Sequence, residues 1–331
     1  IAASYTDAGA LDYMARTCDV ITTEFENIPA GSMRQLARSG PVHPSAEVLE
    51  IAQNRNREKA FASRAGLVPV PNRPIYNETD IEHAIEVTGL PAVLKTATLG
   101  YDGKGQYVVE SLEQARQAFR DAGAVECVME KKIELDKEVS VIVARNEQGD
   151  TAVYPVGENE HRNGILHLTI VPARVDEALS DKARQQALQL VEELDYVGVL
   201  AVEFFIDASN ELLFNEMAPR PHNSGHYTKD ACVTSQFEQQ ARVICGLPPG
   251  DASLLSPVVM VNLLGDLWPP DWRLLLQEPG VKLHLYGKKE ARTGRKMGHF
   301  NVLDPDIERA LATANRLLSA LAADESREEQ A

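Results

Sequence analysis

The chain has 331 residues, enough for two or three domains around a sizeable core. Its formal net charge of -16 and pI near 5.0 create a field that repels nucleic acid and anionic membrane surfaces, which argues against non-specific binding to either. Four cysteines, Cys18, Cys127, Cys232 and Cys245, have no C-x-x-C spacing and sit in apolar segments, as reduced core thiols of a cytoplasmic protein would; no apolar run is long enough to cross a bilayer, and no basic-apolar leader opens the sequence.

The sequence begins at Ile1 rather than Met, which is expected of a fragment that lacks its first unit. Residues 19–25 read as a short strand and 30–39 as a helix, the tail of an α/β unit. A helix over 46–65 follows, carrying Arg55, Arg57 and Lys59, and Gly66 with Pro69 and Pro71 ends it, which places a domain boundary at 66. Thr79 and Glu82 have capping-box spacing ahead of a helix, as do Ser111 and Gln114 ahead of another. Strands are expected at 92–97, 107–109, 125–130, 139–144 and 152–156, and together these suggest a small α+β lid over about 91–157. An amphipathic helix covers 180–194. Later come a helix at 236–244, strands at 258–263 and 281–286, and a final helix at 307–321, ahead of an acidic tail over 323–331 expected to be disordered.

Residues 199–226 hold the most informative pattern. Two apolar runs flank a polar turn at 208–211 and read as an antiparallel hairpin, and each carries one acid, Glu203 and Glu216, where a buried strand normally carries a hydrophobe. With a four-residue loop, Asp207 faces Leu212 and Glu203 faces Glu216 on the same side of the sheet; a three-residue loop puts the two acids on opposite faces. Facing carboxylates repel unless a cation joins them, and oxygen donors with Asn215 nearby favour Mg²⁺. The alternative is that each glutamate ends a strand and pairs with an arginine.

Gly100-Tyr101-Asp102-Gly103-Lys104-Gly105 lies between two strands, so it matches neither a Walker nor a Rossmann turn, yet its backbone N–H groups can wrap a phosphate. Lys95, inside an apolar strand, needs an anion, which a triphosphate would supply; otherwise it is a surface lysine of an edge strand. Glu130, Lys131, Lys132 and Ile133 end a strand where an adenine and ribose could sit, with Glu138 following, or they are ordinary solvated charges. His222 and His226 are four apart, but Pro219, Pro221 and Gly225 break the helix a zinc pair would use, so Arg220 to His226 reads better as a polar loop for a small substrate. Lys289, Arg295 and Lys296 form a basic cluster suited to a phosphate monoester, or a solvated hairpin.

The strand lysine, the glycine-rich tip, the paired-carboxylate hairpin and the Asn215-Glu216 dipeptide before a polar loop together resemble the ATP-grasp superfamily. Phe-Asn-Glu-Met-Ala-Pro-Arg-Pro-His-Asn-Ser-Gly-His, with Gly-Arg-Lys-Met-Gly-His, is similar more narrowly to the 5-(carboxyamino)imidazole ribonucleotide synthases. The resemblance implies an ATP-grasp fold of α/β and α+β class, with the remnant of an N-terminal Rossmann-like (pre-ATP-grasp) domain over 1–66, an ATP-grasp domain over 67–262 and a small C-terminal β-rich domain over 263–322. It implies ATP-dependent carboxylation of aminoimidazole ribonucleotide by bicarbonate, with Mg²⁺, in a cytoplasmic homodimer.

By the same resemblance Glu203 and Glu216 hold Mg²⁺, while Lys95, residues 100–105 and Gln106 cover the phosphates. Arg55, Glu130, Ile133, Glu138, His161 and Asn215 approach the nucleotide. Arg220, His222, Asn223 and Ser224 face bicarbonate and the ribonucleotide, Arg220 orienting the bicarbonate, and Lys289, Arg295 and Lys296 take the ribose phosphate. Family members open with a Gly-Gly-Gly-Gln-Leu-Gly-type turn that this chain lacks. The rivals are a formate-dependent glycinamide ribonucleotide transformylase, expected to show Asp-Thr-Gly-Met where this chain has Asn223-Ser224-Gly225-His226, and a non-catalytic nucleotide-binding module.

Overall fold

A computed structural model describes residues 1–98 and 105–328, with side chains to residue 322. Near the N-terminus two short parallel strands, Ile21–Thr22 and Val42–His43, pack with helices Ala8–Thr17 and Ala30–Leu36 around Leu11, Ile21, Met33, Leu36 and Leu49. Parallel pairing through a helix is the α/β arrangement expected there. Instead of one helix over 46–65 there are two, Ala46–Ala52 and Arg55–Arg64. The break is chemical: the Asn54 side chain accepts from the N–H groups of Asn56 and Arg57 and caps a new helix.

A four-stranded antiparallel sheet follows, in the order Asn72–Ile75, Cys127–Lys131, Ala92–Thr96, Gln106–Val109. Helices Asp80–Thr88 and Leu112–Asp121 cover it around Ile75, Ile81, Leu94 and Phe119. Ser111 caps the second helix by accepting from Gln114 N–H, whereas Thr79 makes no such bond and the Asp80 carboxylate accepts instead from the N–H groups of Tyr76 and Asn77. This sheet spans residues 72–131 and so overlaps only part of the 91–157 segment expected as a lid. Leu135–Arg145 and Thr151–Val153 join the larger sheet.

That sheet has nine strands. Its order runs Leu212–Ala218, Gly198–Asp207, Leu135–Arg145, Gly157–Arg162, Ile165–Val171, Val258–Leu264, Lys296–Leu303, Val281–Leu285, with Thr151–Val153 paired to Leu135–Arg145. The C-terminal strands therefore extend the central sheet, although they have their own core against the final helix, built on Leu263, Phe300, Ala314 and Leu317. The helix Glu177–Glu193 buries Ala183, Ala187, Leu190 and Val191 under the other end. Among the described residues the final helix runs Ile307–Glu328. Its last six described residues, 323–328, fall within the tail named above. Cys127 and Cys232 are buried, but Cys18 and Cys245 are exposed.

The hairpin departs from its expected course and still reaches the expected result. Asp207 N–H donates to Glu211 O, and Ile206 pairs with Leu212, so the loop is three residues, 208–210, with Asn210 at φ 64°. That register carries Phe204 to Phe214, and continued unbroken it would set Glu203 against Asn215. The pairing shifts there, and Glu203 faces Glu216 with Asn215 as the extra residue of a β-bulge. Consecutive side chains, Asn215 and Glu216, then face one cavity, while Phe214 and Met217 stay in the core. Phe204 and Phe214 meet edge to face at 6.3 Å, both fully buried. Phe214→Ala is expected to cost about 3–5 kcal/mol in chemical denaturation. A loss below about 1 kcal/mol would mean that the ring does not anchor the bulged strand.

Candidate active site

A cavity of about 630 Å³ opens where the two sheets, the N-terminal unit and the C-terminal strands meet. A comparable opening of about 680 Å³, near Glu177, Arg184 and Asp251, holds no facing carboxylates and none of the expected site residues. The helix Arg55–Arg64 sets much of the cavity's chemistry. Arg55 Nη1 lies 2.8 Å from Glu216 Oε2, Lys59 Nζ donates to Asn215 O at 3.0 Å, and Met217 N–H donates to Glu58 Oε1 at 2.7 Å. Residues 55, 58 and 59 share one helix face, so one helix grips three successive residues of the bulged strand.

Burial and the neighbouring Glu216 push the Glu203 carboxyl above the ordinary range. Burial acts the same way on Glu216, but the charge and hydrogen bond of Arg55 overcome it and hold that carboxyl low. Glu58, buried beside Glu216, is pushed up to about 8. His222 Nε2 is 3.5 Å from Glu203 Oε1. Its Nδ1 accepts from Ser224 N–H and lies 2.9 Å from Ser224 Oγ, which in turn accepts from Ser140 Oγ. Burial and Arg220 lower His222 to about 3, so the ring is neutral, and these bonds place its proton on Nε2, toward Glu203. His161 Nδ1 lies 2.5 Å from Glu138 Oε2; burial lowers that imidazole, but the carboxylate wins and raises it.

Many of the expected site residues line this cavity: Arg55, Lys95, Gln106, Glu138, His161, Glu203, Asn215, Glu216, Arg220, His222, Asn223 and Lys296. Both amide atoms of Asn223, and Asn215 Oδ1, are buried without a hydrogen-bond partner among the described residues, as groups reserved for a ligand would be. Gly105 adopts φ 71° and a Cβ there would sit 2.7 Å from Thr96 Oγ1, so the strand entry needs glycine. Gly100, Tyr101, Asp102, Gly103 and Lys104 lie outside the described residues.

Other residues fall elsewhere. Glu130 is buried behind the wall between Lys59, 2.9 Å away, and Lys95, 2.7 Å away, so the anion that Lys95 needs is supplied by the protein itself. Ile133 does not line the cavity, and Ser224 is fully buried behind His222. Of the basic cluster only Lys296 of the expected three reaches the cavity. Lys289 is exposed and Arg295 donates to Glu290 O, whereas Lys288, the neighbour of Lys289, lines the cavity with Lys296.

Some of the wall was not expected from the sequence. Glu26, just beyond the strand Ile21–Thr22, pairs with Arg220; the C-terminal end of a parallel strand is a common site for such a group. Leu166 reaches the cavity beside the expected His161, on a hairpin turned by Asn163-Gly164, both at positive φ, and that dipeptide is a strong hairpin signal. Tyr286, which lines the cavity and bonds to His299, follows an unremarkable strand pattern.

Facing acids opposite a strand lysine, between a small and a large sheet, define an ATP-grasp protein, and the sequence profile of the ATP-grasp domain matches residues 61–237. Profiles of the ribonucleotide synthetase preATP-grasp domain and of the phosphoribosylaminoimidazole carboxylase C-terminal domain match residues 1–53 and 258–313. The chain is 44% identical over 307 residues to the N5-carboxyaminoimidazole ribonucleotide synthase of Bacillus subtilis, covering 92% of this chain and 80% of that protein. A crystal structure of an N5-carboxyaminoimidazole ribonucleotide synthetase bound to ADP matches with a TM-score of 0.91 at 48% identity, over 96% of this chain and 84% of that one. The Aspergillus clavatus enzyme, in complex with ADP and 5-aminoimidazole ribonucleotide, matches with a TM-score of 0.88 at 29% identity, over 96% and 86% of the two chains. The chain belongs to the N5-carboxyaminoimidazole ribonucleotide synthase family.

The raised Glu203 carboxyl has a measurable cost. At about pH 4 folded and unfolded chains both hold the proton; as pH rises the unfolded chain ionises first, so the folded state loses stability. In chelator, Glu203→Gln is expected to unfold at higher denaturant than the parent near pH 8, by on the order of 1–3 kcal/mol, with no advantage near pH 4. Equal stability at both values would remove the repulsion between the two acids.

Proposed function

We propose that this protein uses ATP and bicarbonate to carboxylate 5-aminoimidazole ribonucleotide, giving N5-carboxyaminoimidazole ribonucleotide, ADP and phosphate in purine biosynthesis. The observation that carries this reading is the pair Glu203 and Glu216, set face to face on the large sheet in a cavity that Lys95 of the small sheet also lines. A bicarbonate oxygen attacks the γ-phosphorus and the bond to the bridging oxygen breaks, releasing ADP. The carboxyphosphate so formed gives up phosphate, and the exocyclic amine of the ribonucleotide takes the carboxyl group with loss of one proton. Because bicarbonate is a weak nucleophile, alignment supplies much of the rate.

Two carboxylates and the unpartnered Asn215 Oδ1 form an all-oxygen donor set that suits Mg²⁺, which takes few protein ligands and leaves room for phosphate. Glu203, Glu216 and Asn215 would hold the ion, whose bound charge would offset that of the phosphates. Arg55 keeps Glu216 ionised and oriented. Lys95 and Gln106 face the phosphates, and Glu138 with His161 faces the ribose. Arg220, fixed by Glu26, orients bicarbonate beside His222 and Asn223, while Ser224 acts by holding the His222 ring. Lys288 and Lys296 take the ribose phosphate, Lys288 replacing Lys289 in that role.

The four-stranded sheet acts as the lid that excludes water from carboxyphosphate. A homodimer and a cytoplasmic location belong to the same reading and rest on the family resemblance; among the described residues no helix is long and apolar enough to cross a membrane.

Release of ADP is expected to require bicarbonate and aminoimidazole ribonucleotide together. Turnover of glycinamide ribonucleotide with formate would transfer the chain to the transformylases, and nucleotide binding without turnover of any acid would leave a binding module. Glu216→Gln is expected to lower kcat by at least about 10²-fold with the fold retained; a rate within about threefold of the parent would remove Glu216 from the metal site.

A further inference from the structure

Lys59 is only 1% exposed, and no step of the proposed reaction uses it. Its Nζ lies 2.9 Å from Glu130 Oε1, and the other oxygen of that carboxylate lies 2.7 Å from Lys95 Nζ. One lysine would suffice to neutralise Glu130. Two ammonium groups on one buried carboxylate leave a formal charge of +1, and of the two lysines only Lys95 lines the cavity. With Glu130 paired to Lys95 alone, the strand lysine would be neutralised before any phosphate arrived. Lys59 also donates to Asn215 O, so one ammonium group touches both the carboxylate behind Lys95 and the bulge beside Glu216.

We infer that Lys59 is a positioning residue for the nucleotide: by sharing Glu130 it keeps the charge of Lys95 available to an anionic phosphate, and by binding the Asn215 carbonyl it fixes that lysine against the carboxylate strand. This rests on the reading of Lys95 as a phosphate contact. A purely structural Lys59 would serve only to satisfy Glu130, and its removal would impair both substrates alike.

The test measures binding of the non-hydrolysable ATP analogue adenylyl imidodiphosphate with Mg²⁺, and separately of aminoimidazole ribonucleotide, by titration calorimetry. Lys59→Met is expected to weaken the analogue about tenfold and leave the ribonucleotide within about twofold. The double variant Lys59→Met/Glu130→Gln restores the formal +1 on Lys95 and is expected to recover most of the lost nucleotide affinity. Unchanged nucleotide binding in Lys59→Met, an equal loss for both ligands, or a double variant no better than the single overturns the inference. Should Lys59→Met fail to fold, Lys59→Gln keeps a hydrogen-bond donor for Glu130 and the Asn215 carbonyl but removes the charge; it must bind the analogue about tenfold less tightly than the parent, and unchanged affinity overturns the inference. Lys95→Met separates the two levels. Weakened binding there with none at Lys59 overturns the Lys59 inference alone, whereas no weakening in either also removes Lys95 from the phosphate site.

Discussion

The site depends on one irregularity in one strand. A regular strand alternates its faces, so Asn215 and Glu216 could not both reach the cavity while Phe214 and Met217 stay in the core. The bulge allows both, at the cost of a break in the ladder that something outside the hairpin must hold. The helix Arg55–Arg64 does so, through the Asn215 carbonyl, the Glu216 carboxylate and the Met217 N–H, using Lys59, Arg55 and Glu58. The Asn54 cap starts that helix where its basic face meets the bulge. A continuous helix from 46 to 65 could not turn there.

The hairpin also shows what was legible in the sequence and what was not. The facing of Glu203 and Glu216 was readable from pattern, but through a four-residue loop, when the chain makes a three-residue loop and recovers the register with a bulge. Two shifts of one residue offset each other, and neither has a local signature: the bulge is set by a helix more than 150 residues away in sequence. Glu130 was misplaced for a related reason. A carboxylate at a strand end looks solvated until a second lysine from a distant helix is known to reach it. The choice of Lys288 over Lys289 turns on which way one residue points, which a one-residue change of parity reverses. By contrast, the hairpin at Asn163-Gly164 had a local signal, since both residues must adopt positive φ and that pair does so at little cost.

The charge balance differs between chain and cavity. The protein carries a net -16, yet the cavity lining sets Arg55, Lys95, Arg220, Lys288 and Lys296 against an equal number of carboxylates, Glu24, Glu26, Glu138, Glu203 and Glu216. The excess negative charge is carried elsewhere on the chain, so an anion entering this cavity meets a more favourable field than it meets over the rest of the molecule. Arg55 is held by Glu216, Lys95 by Glu130, Arg220 by Glu26 and Lys288 by the Lys296 carbonyl. Little reorganisation is then needed when an anionic ligand enters.

No single unit of the chain owns this arrangement. Glu26 comes from the N-terminal pair of strands, Arg55 from the connecting helix, Lys95 from the small sheet, Glu203 and Glu216 from the large sheet, and Lys288 and Lys296 from the C-terminal segment. The C-terminal strands could have formed a separate sheet, and they bury an apolar core of their own against the final helix. Instead Val258–Leu264 pairs directly with Ile165–Val171, whose hairpin partner carries His161 beside Glu138. A continuous ladder transmits position far more rigidly than a linker does, so the C-terminal strands and the Glu138–His161 end of the cavity are fixed in one frame. The sharing of the sheet is what lets charges from remote parts of the sequence be set at defined distances.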